Sequence, residues 1–199
     1  MNSYIVVEGQ TDRELLGRLL PKDLADRVTI VVANGKSAAV SLCRSILSQR
    51  QAPTVLVIDS DTTDEEEIRE RYVILNDLLR PAAGTALWLV QLAVPEIEAI
   101  LFSDINALET GTGVKLSETD LTAAKYRPKE VLGRVLKQAG IGGEPQLISR
   151  FDETALAVFG RHSLATNIIE FLQESLSEEK VRLEQSLPHA ESHSEHIGG

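Results

Sequence analysis

Cysteine is nearly absent from this sequence: Cys43 stands alone among 199 residues. An internal disulfide and a four-cysteine zinc module are thereby excluded. Set within a helical apolar pattern, Cys43 reads as a small buried residue. Aromatic side chains are also scarce, at 4%, so the core has to be built from aliphatic residues. No apolar run approaches the about 18 residues that a membrane-spanning helix needs, and no secretory leader pattern is seen. A cytoplasmic protein without a membrane partner is expected. Positive charge is in deficit, with 20 Lys and Arg against 30 Asp and Glu and a net charge of −10. Such a chain does not hold nucleic acid by bulk charge; binding a polyanion requires a metal, a partner subunit or a local basic patch. What the chain does have is 43% hydrophobic content, enough for one sizeable core or a core with an appended helical lobe.

The stretch Ser3-Tyr-Ile-Val-Val-Glu-Gly-Gln-Thr-Asp-Arg-Glu14 carries the first chemical signal. It reads as a short strand ending on Glu8, a turn at Gly9 and a helix capped by Thr11. Thr11 and Glu14 have the spacing at which each side chain satisfies a free backbone N–H of the first turn. Leu15, Leu16, Leu19 and Leu20 continue at helical spacing, and Pro21 closes the segment. A strand that ends on a carboxylate puts it at the carboxyl edge of a sheet, where open α/β folds keep their ligand sites. Asp12 starts the helix and faces the same edge. Paired acids there suit a hard divalent cation.

Three further strands are expected at Val28–Ala33, Thr54–Ile58 and Ala86–Val94. The continuous β-branched run of the first predicts a strand buried on both faces. After it, Asn34-Gly35-Lys36-Ser37 turns into a helix through Leu42, Ile46 and Leu47. Gly35-Lys36-Ser37 resembles the end of a phosphate loop, but Ile30 occupies the position where that motif requires glycine. Lys36 remains as a phosphate contact or a solvated lysine. The third strand delivers Asp59-Ser60-Asp61. Residues two apart in extended chain point the same way, so both acids are expected to face one cavity, with Ser60 as a spacer. Thr63 then repeats the capping spacing with Glu66 and opens a helix toward Leu79, with Asp64 to Glu67 as its solvated first turn. Pro95 suits a first helical position and predicts a helix to about Leu108, with Glu96 and Glu98 on opposite margins of its apolar face. Gly111–Gly113 reads as a loop. Beyond it lies the one basic stretch, Lys125, Arg127, Lys129, Arg134 and Lys137, in which Pro128 starts a helix. Two helices are expected between Phe151 and Leu187. His189, His193 and His196 fall in a polar tail expected to be disordered.

Val7-Glu8-Gly9-x-Thr11-Asp12 together with Asp59-Ser60-Asp61 resembles the TOPRIM domain of topoisomerases, primases and nucleases. Pro95-Glu96-Ile97-Glu98-Ala99-Ile100-Leu101 resembles its branch of OLD-type nucleases and stand-alone defence-associated proteins. The resemblance implies a parallel four-stranded α/β sheet flanked by helices, with a TOPRIM-like domain over 1–110, a helical extension over 111–187 and a tail over 188–199. It implies Mg²⁺ or Mn²⁺, one or two ions, held by Glu8, Asp12, Asp59, Asp61 and Glu98, with Glu96 as the second choice to Glu98. It implies hydrolysis of phosphodiester bonds in DNA or RNA, with Glu8, Asp59 and Asp61 at the centre. Lys129, or Lys125 in its place, would stabilise charge at the scissile phosphate. Lys36, Lys125, Arg127 and Arg134 are candidate nucleic-acid contacts. A partner ATPase, a role in phage defence and a homo-oligomer are further expectations. Two other readings stand beside this one: a non-catalytic TOPRIM subunit that regulates an ATPase, and a metal-dependent phosphohydrolase acting on small phosphoesters.

Overall fold

Four parallel strands form the centre of this computed structural model, which describes residues 2–186 in backbone and 2–177 in side chain. They are β1 (Ser3–Val7), β2 (Val28–Val32), β3 (Thr54–Asp59) and β4 (Trp88–Ala93), in the order β2-β1-β3-β4. Ser3 lies opposite Val28, Tyr4 opposite Thr54, and Thr54 opposite Trp88, so every strand points its carboxyl end to one edge. The molecule is an α/β structure, with helices on both faces and a C-terminal helical part.

Alternation along the strands divides the core. Ile5, Val7, Val55, Val57 and Ala93 face one layer. This layer comprises α1 (Gln10–Leu19), the short α2 (Lys22–Ala25), a 3₁₀ helix at Ile97–Ser103 and α5 (Ile105–Thr112). It continues with α6 (Glu118–Ala124), α7 (Pro128–Ala139), α8 (Glu144–Arg150), α9 (Glu153–Phe159) and α10 (Ser163–Ser186). Val6, Leu56, Ile58, Val90 and Leu92 face the other layer, α3 (Lys36–Arg50) and α4 (Glu65–Ala83). Arg18 on α1 donates to the Phe151 carbonyl at 2.8 Å, tying the first crossover to the C-terminal helices. On the opposite face, Trp88 Nε1 donates to Asn76 Oδ1 of α4 at 3.1 Å. Among the described residues no helix is long and apolar enough to cross a membrane.

Several local expectations are corrected. The first helix begins at Gln10 with Gly9 as its cap, not Thr11. Asp12 Oδ2 accepts the Gly9 N–H at 2.9 Å and closes the turn one step early, while Glu14 accepts from the Gln10 side chain. In α4 the cap is Asp64 rather than Thr63. Its Oδ1 accepts the Glu66 and Glu67 N–H groups at 2.9 and 3.0 Å, and the helix runs past Leu79 to Ala83. The strand β2 is an edge strand whose residues are only partly covered, so its β-branched run does not signal burial on both faces. Pro95 precedes its helix, and the segment to Leu108 is broken in two. Asp104 takes an extended backbone and its Oδ1 accepts the Ala107 N–H at 2.8 Å, ending one helix and capping the next. The expected loop at Gly111 is helical, and α5 ends only at Gly113 in the left-handed region, φ 71°. A Cβ on Gly111 would lie 2.5 Å from the Phe151 ring, so glycine there lets α5 seat against α8. The tail containing His189, His193 and His196 lies outside the described residues.

Candidate active site at the carboxyl edge of the sheet

Strands β1 and β3 are neighbours whose connecting helices leave toward opposite faces, and Glu8 and Asp59 stand at their carboxyl ends. Open α/β sheets place ligand crevices at such points. The Asp59 N–H donates to Glu8 Oε1 at 2.9 Å, and Asp59 Oδ1 accepts the Ile97 N–H at 2.9 Å. Asp59 therefore holds the start of the 3₁₀ helix against the end of β3. One residue further into that helix, Glu98 is buried, 1% exposed. Its nearest cation is Lys129 in the first turn of α7, with Nζ 3.1 Å from Glu98 Oε1. Apart from that ion pair, neither Glu98 oxygen has a hydrogen-bond partner among the described residues.

The electrostatics follow from burial of acids near one another. Burial pushes the Asp59 carboxyl up to about 7, reinforced by Glu98, Asp12 and Glu8 and opposed by the Ile97 amide. Burial raises Glu98, against the opposing pull of Lys129. Burial also raises Glu8, with the Asp59 amide and Lys36 opposing. Burial would lower the Lys129 ammonium, but Glu98, Glu144 and Asp59 together hold it above the ordinary lysine value. Glu144 is a member that the sequence did not announce. It opens α8 after Gly143, and burial followed by the Glu98 charge pushes it up to about 7. Nothing local marks it beyond an acid in a helical first turn; the packing of α8 on α1 and α7 brings it here.

The other anticipated residues are placed differently. Asp61 takes hydrogen-bond and ion-pair partners other than those of Asp59. Alternation ends with the strand, because Ser60 is buried and its hydroxyl donates to the Thr62 carbonyl at 2.7 Å and the Pro95 carbonyl at 3.3 Å. Asp61 then turns into the left-handed region, φ 54°. Its carboxylate contacts Lys36 Nζ, with Arg71 Nη1 3.9 Å away. Ser60 is thus a structural knot rather than a spacer. Glu96 is engaged elsewhere, its Oε2 accepting the Lys129 backbone N–H at 3.0 Å. Arg127 pairs with Glu130 at 3.6 Å and Arg134 with Asp120 at 2.9 Å. Lys125 lines a separate cavity of 440 Å³ beside Val94, Pro95, Phe102 and His162. Tyr126, between Lys125 and Arg127, is 62% exposed. Among the described residues, no three acid, histidine or cysteine side chains stand close enough to hold one ion as placed.

This architecture is similar to the C-terminal region of the Burkholderia pseudomallei OLD protein. The match covers 87% of this chain and 98% of that one, at a TM-score of 0.54 and 16% sequence identity. It shows a shared fold. No family model and no curated protein sequence matches the chain.

Proposed function

We propose that this chain is a metal-dependent nuclease of the TOPRIM kind, hydrolysing phosphodiester bonds in DNA or RNA. The observation that carries the reading is the pairing of buried Glu98 with Lys129 directly beside Asp59 at the carboxyl edge. Carboxylate oxygens are the donor type for Mg²⁺ or Mn²⁺. Burial and repulsion between carboxylates raise the Asp59 and Glu98 carboxyls above their ordinary values; added positive charge would relieve that repulsion. The spacing fits an ion that keeps much of its water and takes one or two protein carboxylates, the usual habit of Mg²⁺. Glu8, Asp12, Asp59 and Glu98 are the residues that would hold one or two such ions. When bound, the ion supplies a Lewis acid and a water of lowered pKa.

The chain's own residues do the positioning. Asp59 and Glu8, cross-linked through the Asp59 amide, set the distance between the ends of β1 and β3. Glu96 holds the first turn of α7 by its backbone, which fixes where the Lys129 side chain begins. The Lys129 ammonium, permanently charged in this setting, stands where it stabilises negative charge on a phosphoryl oxygen. Lys125, Arg127 and Arg134 offer cations along the substrate's path. Tyr126 offers an exposed ring on which an unpaired base can stack. The fold shared with the OLD protein region supports this reading; a partner ATPase, a setting in phage defence and a cytoplasmic location are further parts of the proposal. A second reading, a non-catalytic partner subunit, is favoured by the exposed apolar residues Tyr72, Val73, Ile74 and Leu78 on α4, which also suit a homo-oligomer. A small-molecule phosphohydrolase is less well supported, because Glu8 occupies the place where that chemistry uses a nucleophilic aspartate.

The test is cleavage of supercoiled plasmid, single-stranded DNA and transfer RNA in Mg²⁺, Mn²⁺ and EDTA, beside Asp59→Ala/Asp61→Ala. Metal-dependent cutting abolished by the double variant is the expected result. Absence of cutting with Mn²⁺ binding retained would move the chain to a partner-dependent enzyme. Absence of both would sink the nuclease reading and leave the partner subunit.

A further inference from the structure

Lys36 and Arg71 come from different helices, α3 and α4, and converge on one carboxylate, Asp61. Arg71 also donates through Nη1 to the Ser60 carbonyl, which anchors its guanidinium beside the strand end. The two cations are shielded, 35% and 38% exposed, whereas the Asp61 carboxylate that covers them is 60% exposed. Asp61 reaches them from a left-handed backbone at the end of β3, a conformation in which asparagine, aspartate and histidine are enriched among non-glycine residues. The arrangement is a pair of fixed cations with a replaceable anion on top, opening at the same edge as Glu8 and Asp59.

From this geometry we infer that Lys36 and Arg71 form a phosphate seat and that Asp61 occupies it while substrate is absent. A phosphate of a nucleic-acid backbone is the ligand class. Guanidinium presents five donors in a planar fork suited to phosphate, and only one is committed to the Ser60 carbonyl. Phosphate carries more acceptor oxygens than Asp61 offers, and the exposed carboxylate is free to swing into water when displaced. In a chain of net charge −10, the seat adds a second group of cations beside the acids. Lys129, paired with Glu98 on the other layer, is a separate cation. Asp61 also sets a threshold: an anion that fails to outcompete it does not bind. This inference rests on the nuclease reading for its ligand, but its test is independent of cleavage.

The experiment measures binding of a fluorescein-labelled single-stranded DNA oligonucleotide in EDTA by anisotropy, with inorganic phosphate as competitor. Asp61→Asn should bind about fivefold tighter than wild type, the upper value of an exposed ion pair expressed as an affinity. Glu70→Gln, an exposed neutralisation on α4, controls for net charge and should change affinity far less. Lys36→Gln/Asp61→Asn should lose the gain, and inorganic phosphate should compete on Asp61→Asn but not on the double variant. Circular dichroism melts establish that each variant is folded. Equal affinities of Asp61→Asn and Glu70→Gln would overturn the seat, as would survival of the gain without Lys36. Competition-free binding of inorganic phosphate alone, with no oligonucleotide bound, would overturn the assignment to a nucleic-acid backbone. A chain that never cuts can still pass this test, and a chain that cuts can still fail it.

Discussion

On one face of the sheet Asp59 continues the side-chain direction of Val55 and Val57 and lies in the field of Glu98 of the 3₁₀ helix and Lys129 of α7, which Glu144 of α8 also feels. On the other face Asp61 meets Lys36 of α3 and Arg71 of α4. Two acids separated by a single serine are therefore sent to opposite layers. The first layer gathers buried carboxylates around one lysine, and the second sets two cations around one exposed carboxylate. The difference teaches that the short Asp59–Asp61 loop partitions the chemistry: charge that stores repulsion lies on one side, and charge that is already neutralised on the other. Glu8, bonded to the Asp59 amide and within the field of Lys36, stands between them.

The comparison is broken most severely at Asp59. Asp59→Asn should reduce cleavage by about 10³-fold or more, the several kcal/mol that metal-assisted chemistry contributes. The same change should stabilise the metal-free fold. The folded carboxyl sits at about 7 against an ordinary 3.8, so the native state holds the proton more tightly than the unfolded chain. Its contribution is present below 3.8 and is lost as pH rises through about 7. In EDTA at pH 8 the variant should therefore melt above wild type, by about 2–4 °C for each kcal/mol relieved in a chain of this size. A lower melting temperature would show that the acids of this layer do not strain the fold.

A smaller and sharper contrast sets Lys129 against Lys36. Lys129→Ala should lower kcat by about 10²-fold with KM little changed, as for removal of one charge-stabilising donor. Lys36→Gln should instead raise KM several-fold at unchanged kcat. If both variants moved the same constant, the two layers would not divide chemistry from binding. The smallest effect concerns the helical layer alone. Burial lowers the His162 pKa below its ordinary 6.5, and His162 Nδ1 accepts the Leu164 N–H at 3.3 Å in the first turn of α10. The unfolded chain takes the proton first, so this part of stability is full above 6.5 and falls as pH drops below it. Thermal melts from pH 7 to pH 5 should show His162→Asn losing less than wild type, by no more than about 1 kcal/mol. An identical slope in both would remove His162 from the balance.

Much of the sheet was legible because apolar runs, acids at their ends and prolines at their exits are local signals. The positions of Glu8 and Asp59 follow from the ends of their runs alone. Period-two alternation carried to Asp61 does not anticipate the left-handed backbone there. The backbone bonds that stop it run from Ser60 to Ala93 and from Asp61 to Pro95, and no local pattern announces them. Glu98 was assigned to an α-helical margin, yet a 3₁₀ helix delivers it to the buried side. Glu144 stayed hidden because its partners come from α1, the 3₁₀ helix and α7, far away in sequence. Lys129 could be chosen from its basic neighbours only through the family resemblance; Glu96 on its amide and Glu98 at its ammonium are tertiary facts.

The only tryptophan of the chain, Trp88, bonds to Asn76 on the α4 side of the sheet. Intrinsic fluorescence is therefore a one-sided reporter. Its wavelength and quenching follow the seating of α4 on β4, the layer that carries Arg71. Loosening confined to α5 through α9 leaves the indole's own hydrogen bond untouched. Paired with far-ultraviolet dichroism, which sums over all helices, a single unfolding titration separates the order in which the two layers come apart, without any label being added.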